Sequence, residues 1–325
     1  MQGKVYIQRT DDGVRYAETD ETGRLSRCLF LSDDDPTGSV YRGKVVRVTG
    51  AGAFVDIGRE KNGFLSDNKK RPGDYVTVEV SRAEDGDKGC LLTEKLSLAG
   101  KYVVVTEGET RFSRKSPLGE ERKKEAAAIV GKGVVFRTAF NEKTFESGIT
   151  EAETLRKKLE EIKKSGEGFF IGLLYSPDAE TVAENNSDKA RGDFCEIEEE
   201  IASLAQRKVV VNGVELVFDK TEAMTVIDVN SRLNAAKYKD AEACAFATDL
   251  IAAEEVCRQI RLRNIGGIIA VDFVSVKSKE KIEKIKEKLS ACLRCDDVMA
   301  KAEFCDKLCV ALVSRTKRYS ELVLG

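Results

Sequence analysis

Thr225-Val-Ile-Asp228-Val-Asn230 and Gly266-Gly-Ile-Ile-Ala-Val-Asp272-Phe273 are two apolar runs of strand type, each reaching an aspartate at its far end. Between them, Asp240–Arg263 carries apolar residues at helical spacing, and Gly266-Gly267 follows as a C-cap signal. Strand, helix and strand of these lengths predict a crossover unit with the two strands parallel. An ionised carboxylate is costly beside an apolar core unless it is paired or metal-bound. Two of them on neighbouring strands can converge on one cation. The competing reading makes Asp228 an Asx-turn residue and Asp272 a cap.

Composition narrows the chemistry. The chain has 325 residues, 42% hydrophobic and 34% charged, enough for one large or two to three modest domains. It contains no run of eighteen apolar residues, so no membrane-spanning helix is expected. The first residues lack the apolar stretch of a signal peptide. Nine cysteines without disulfide-framework spacing predict a reducing, cytoplasmic setting. Histidine is absent, which excludes a His triad, a His base or a His metal ligand. Catalysis then falls to carboxylates, Lys, Tyr, Cys, Ser or a metal held by oxygen. Residues 38–138 hold 20 basic and 14 acidic side chains, an excess of six. With a net charge of −2, the rest carries −8. A basic stretch beside an acidic remainder fits a polyanion held by one part and a cation by another; an evenly solvated surface is the alternative.

The segment 1–37 reads as a β-hairpin region, with Asp12-Gly13 at its turn. Residues 38–98 carry five short strand-like runs with Gly-rich turns, which suits a small barrel of the OB type. Such barrels bind single strands by stacking bases on aromatics and holding the backbone with cations. Phe54, Phe64 and Lys88 are candidates, although on composition alone the two phenylalanines read as core. Residues 99–170 look like a mixed α/β layer ending in an amphipathic helix near 150–164. Residues 177–193 read as a loop. From 198 onward the chain alternates helix and strand around the two aspartate runs, with Asn212-Gly213 as a hairpin turn.

Several of these segments resemble the ribonuclease E/G family. The resemblance rests on Thr221-Glu-Ala-Met-Thr-Val-Ile-Asp228-Val-Asn230-Ser231 and on Cys257-Arg-Gln-Ile-Arg-Leu-Arg-Asn-Ile-Gly-Gly-Ile-Ile-Ala-Val-Asp272-Phe. Upstream, Val40-Tyr-Arg-Gly-Lys-Val, Ala53-Phe-Val-Asp-Ile-Gly and Gly86-Asp-Lys88-Gly look like that family's S1 domain. Val135-Phe-Arg137-Thr138-Ala looks like its 5′-sensor region, and Val313-Ser-Arg315-Thr-Lys-Arg like its terminal basic motif. The resemblance implies an α+β multidomain fold: an N-terminal region with an RNase H-like remnant (1–37), an S1/OB-fold barrel (38–98), a 5′-sensor region (99–170), a shortened linker or RNase H-like remnant (171–197) and a DNase I-like catalytic domain (198–325).

It also implies a function. The expected protein is an endoribonuclease that cuts single-stranded RNA to 5′-phosphate and 3′-hydroxyl ends, favours 5′-monophosphorylated RNA, and serves RNA processing or decay. Asp228 and Asp272 would bind Mg²⁺, or Mn²⁺ in its place, and Asn230 would orient a carboxylate. Phe54, Phe64 and Lys88 become RNA contacts. Arg137 and Thr138, the backbone from Gly100 to Val104, and Arg315 would form the 5′-phosphate pocket. The alternative is a non-catalytic RNA-binding protein that keeps the fold. The family's Cys-Pro-x-Cys zinc-linking motif is missing, so neither zinc nor a zinc-linked dimer is expected. Cys292, Cys295, Cys305 and Cys309 are the nearest substitute for a metal-binding cysteine set. The resemblance points to a short, ribonuclease G-like form.

Overall fold

The computed structural model describes residues 3–67, 69–84, 88–187, 189–231, 240–296 and 298–317. Gly86, Asp87 and Arg318 of the sequence motifs lie outside them. The chain forms two compact units: residues 1–8, 15–30 and 189–325 in one, and residues 9–14 and 31–188 in the other. Segments at both ends of the sequence thus share one unit.

The chain opens with three strands, β1 (Lys4–Thr10), β2 (Gly13–Thr19) and β3 (Leu25–Ser32). The barrel follows: β4 (Val40–Thr49), β5 (Gly52–Asp56), β6 (Gly63–Leu65), β7 (Tyr75–Arg82) and β8 (Leu91–Thr93). Its strand order is β4-β5-β6-β8-β7, and β7 closes back onto β4. Closure removes the sheet edges, and alternation sends Val45, Ala53, Val55, Val76, Val78 and Leu92 inward as one core. This is a mixed α+β protein with a five-stranded barrel consistent with an S1/OB-like fold.

Next come β9 (Ser97–Ala99), β10 (Val103–Thr106), β11 (Arg111–Phe112), helix α1 (Glu120–Val130), β12 (Val134–Phe136), helix α2 (Phe145–Ser165) and β13 (Gly172–Tyr175). β11-β12-β10-β9 is a small sheet, and β13 joins the barrel by pairing antiparallel with β4. The stretch 177–193, expected as a loop, contains helix α3 (Ala179–Glu184) and strand β14 (Ala190–Arg191). The Asp178 carboxylate starts α3 by accepting from the Thr181 N–H at 2.8 Å, an N-cap signal too short to stand out in a polar stretch. β14 runs parallel to β1, which lies beside β2 and then β3.

After helix α4 (Glu198–Ser203) come β15 (Lys208–Val211), β16 (Val214–Lys220), β17 (Thr225–Asn230), helix α5 (Ala241–Leu262), β18 (Gly267–Asp272), helix α6 (Lys279–Arg294), β19 (Ala300–Cys305) and β20 (Val310–Arg315). They build a six-stranded sheet, β15-β16-β17-β18-β20-β19. Only β17 and β18 are parallel, as the crossover helix requires. Ile227, Val229, Ile269, Val271, Ala311 and Val313 point to one face, where they pack with Val256 and Ile260 of α5 and with Ile285 and Leu289 of α6. Full burial of each larger side chain contributes roughly 1.5–3 kcal/mol. With period-two alternation, their neighbours Asp228, Asn230 and Asp272 must project from the other face. Among the described residues, no helix is long and apolar enough to cross a membrane.

Candidate active site

The parallel pairing of β17 and β18 puts Asp228 directly opposite Asp272. Both are exposed at the carboxyl ends of their strands. Directly opposed residues share a face with their Cβ atoms only about 5 Å apart, so the two carboxylates can reach one small cation between them. Asn230, two residues on and on the same face, donates its side-chain N–H to Asp228 Oδ2 at 2.6 Å. This bond fixes one carboxylate oxygen and leaves the other to a ligand. Glu215 lies opposite Asn230 in the register with β16, and Lys208 Nζ stands 3.9 Å from its carboxylate.

The backbone beyond Asp272 is fixed from several directions. The Phe273 N–H donates to the Cys309 carbonyl at 3.0 Å. The Val274 N–H donates to Asp249 Oδ1 at 2.9 Å, and the Ser278 N–H to Glu242 Oε1 at 2.8 Å. Two carboxyl groups of α5 therefore hold the connection that starts at Asp272. Sequence reading missed both. Asp249 sits within the apolar stripe of α5, and a lone acid there was the available signal. It is completely buried, and its Oδ2 has no hydrogen-bond partner. Burial pushes its carboxyl up to about 8, with the Val274 N–H pulling the other way. Raised in the fold above its ordinary 3.8, the group gives stability that is full below that value and lost as pH rises towards about 8. Urea midpoints should fall across that window for the wild type and stay flatter in Asp249→Asn, which keeps the acceptor and cannot ionise. Identical pH profiles for the two proteins would rule out this role.

The donor set of Asp228 and Asp272 fits a hard divalent cation. Mg²⁺ is commonly held by one or two carboxylates, with waters and substrate phosphate completing its shell. The cysteines form a different picture. Cys295 and Cys305 are exposed, while Cys309 is buried, with its sulfur against the Val276 backbone. Cys292 on α6 meets the buried Cys257 of α5, whose hydrogen bond holds the Cys292 thiol below its ordinary range. Among the described residues, no three His, Cys, Asp or Glu side chains gather as a metal-binding group.

On the barrel, Phe54 and Phe64 face each other across β5 and β6, with ring centroids 5.4 Å apart and edge to face. Both are half-buried, so composition alone overstated their role in the core. The Arg47 guanidinium lies 4.4 Å from the Phe54 centroid, a cation the sequence did not single out. Lys88 is exposed.

Arg137 follows β12 and is half-buried. Its guanidinium donates to the Gly100 carbonyl at 2.5 Å, the Asn185 carbonyl at 3.2 Å and Asn186 Oδ1 at 3.3 Å. Thr138 is exposed, its hydroxyl 2.9 Å from that of Ser113. The expected backbone cradle is already filled. Glu151 of α2 accepts from the N–H groups of Lys101, Tyr102 and Val103 at 2.8, 2.7 and 3.0 Å. A methyl group at Gly100 would collide with this carboxylate, which explains the glycine. Val104 pairs within the sheet, between Ala99 and Val135. Of the expected pocket side chains here, Thr138 is exposed, while the Arg137 guanidinium is engaged by Gly100, Asn185 and Asn186. Arg315 lies in the other unit, is buried, and is committed to Asp296 at 2.9 Å and the Ile265 carbonyl at 3.1 Å.

Comparison with known proteins adds independent findings. A family model described as "Ribonuclease E/G family" matches residues 170–318. Ribonuclease E of Escherichia coli strain K12 is 30% identical over 333 residues, an alignment covering 79% of this chain and 31% of that protein. Putative ribonuclease E of Buchnera aphidicola subsp. Baizongia pistaciae is 27% identical over 73% of this chain and 76% of that protein. Ribonuclease G of Salmonella typhimurium strain SL1344 is 25% identical over 80% of this chain and 68% of that protein. The match thus takes in 31% of the E. coli ribonuclease E but 68% of the Salmonella ribonuclease G.

Proposed function

We propose that this chain, which belongs to the ribonuclease E/G family, is an Mg²⁺-dependent endoribonuclease that cuts single-stranded RNA to 5′-phosphate and 3′-hydroxyl ends. The observation that carries the reading is the in-register opposition of Asp228 and Asp272, with Asn230 bonded to the first. A protein that only binds RNA needs no such pair. In this reading residues 198–325 are the DNase I-like catalytic domain, residues 38–98 bind the substrate, and the setting is cytoplasmic RNA processing or decay.

Asp228 and Asp272 would hold the cation, and Asn230 would keep the Asp228 carboxylate turned towards it. When bound, Mg²⁺ supplies a water of lowered pKa and a positive charge beside the phosphate. The anchored connection after β18 keeps Asp272 in place without reorganisation during the reaction. Phe54 and Phe64 would stack bases, while Arg47 and Lys88 would meet the backbone. The test is incubation of A/U-rich single-stranded RNA with the protein in Mg²⁺ and in EDTA. The absence of Mg²⁺-dependent cleavage across several RNAs would sink the enzyme reading. Salt-sensitive binding without cleavage would favour the non-catalytic RNA binder.

Arg137 and Thr138 would sense a 5′-monophosphate. RNA carrying that group should be cut faster than the same RNA with a 5′-hydroxyl, by about tenfold, the scale of one charge-assisted hydrogen bond. In Arg137→Ala the two rates should become equal. A preference that survives the substitution would remove Arg137 from the sensor.

A further inference from the structure

The outer face of the barrel carries a second aromatic and cationic group beside the Phe54–Phe64 pair. Pairing across β6, β5 and β4 aligns Phe64, Phe54 and Arg47. The next outward row, across β5, β4 and β7, is Asp56, Lys44 and Tyr75. A β-bulge between Val45 and Arg47 explains how Lys44 and Arg47, three residues apart, share this face. The two rows are therefore neighbours on one surface.

The second row is extended by a built loop. Gly168 adopts a φ of +118°, a conformation other residues rarely take, and directs the chain so that Phe169 stands out 89% exposed. The Phe169 ring meets Tyr75 edge to face at 5.4 Å. Arg42 fixes the loop by donating to the Gly168 carbonyl from Nε at 3.1 Å and Nη2 at 3.0 Å. Arg42 and Lys44 also lie 5.8 and 5.7 Å from the Tyr75 centroid. An exposed aromatic costs hydration free energy, and this one is anchored rather than tucked away. Every base has a π-face, and phosphates complement the flanking cations.

The geometry points to a longer single-stranded RNA track, continuing from Phe54 and Phe64 across β4 to Tyr75 and Phe169. This rests on the reading of the barrel as the RNA-binding element. Two strand spacings, about 10 Å, separate the β5 and β7 ends of the track, room for roughly one or two more nucleotides. Asp56 is the one acid on these two rows, so the phosphates pass along the Arg42, Lys44 and Arg47 side.

The test is fluorescence anisotropy of the full chain with labelled oligouridylates of about four and about twelve nucleotides, a short and a long length within the range of a single barrel's site. Phe169→Ser removes an exposed ring and should leave the thermal midpoint unchanged. It should weaken the long RNA by about tenfold, the worth of one stacked base, and leave the short RNA unaffected. Phe54→Ala should weaken both. Unchanged affinity of Phe169→Ser for both RNAs would end the track at Phe64 and overturn the extension alone. Equal loss for both lengths would also overturn it. A wild type that binds neither RNA, or Phe54→Ala without effect, would overturn the barrel reading and the extension with it. Self-association abolished by Phe169→Ser without change in RNA affinity would assign the patch to a second copy and reject the proposal.

Discussion

Asp272→Asn is expected to lower the single-turnover rate of RNA cleavage by about a thousandfold while leaving RNA affinity within about twofold of the wild type. The substitution keeps size and hydrogen-bonding shape, so the β18 register and the anchored connection beyond it stay intact. In the proposed reading it removes one of the two negative charges that would hold the divalent cation. Asp228→Asn should behave alike, and the double variant should be little worse than either single one, because the two carboxylates act as a unit. Raising Mg²⁺ should recover part of the rate in the single variants. A loss below about tenfold in both would mean that the pair does not hold the catalytic cation.

The largest expected effect on stability lies at Arg315. Its guanidinium and the Asp296 carboxylate are both almost fully buried, with side-chain exposures of 3% and 1%. Arg315→Ala leaves a buried carboxylate without its counter-charge and the Ile265 carbonyl without its donor. Loss of one member of a buried pair costs about 3–5 kcal/mol, much of the stability of an ordinary domain. Urea unfolding should show this as a large drop in midpoint. Arg315→Ala should keep the preference for 5′-monophosphorylated RNA in whatever fraction remains folded, because the side chain is occupied inside its own unit. A stable variant with the preference lost would instead place Arg315 at the phosphate.

Much of this fold could be read from pattern. The helix expected over 240–263 spans Ala241–Leu262 with Asp240 as its N-cap, and the Asn212-Gly213 turn takes positive φ at both residues. Crossover logic alone predicted parallel β17 and β18. What it could not give was the register, since a shift of one residue would have pointed Asp228 and Asp272 to opposite faces. Register depends on which neighbours become buried, and that is a property of the packed sheet. Side-chain employment was harder still. Arg315 reads as a phosphate ligand until Asp296 is seen beside it. Glu151 drew no attention as a sequence position, yet it fills the amides that were expected to meet a phosphate. Phe169 drew no attention as a sequence position, and the Gly168 turn exposes it.

In the proposed mechanism the Asp228–Asp272 pair directs a water to the phosphodiester, and mass spectrometry of the cleavage products reads the outcome. Attack by water predicts 3′-hydroxyl and 5′-phosphate ends, formed only with a divalent cation and also at a site where the 2′-hydroxyl has been replaced by hydrogen. Ends bearing 2′,3′-cyclic phosphate and 5′-hydroxyl, or cleavage that persists in EDTA, would contradict it.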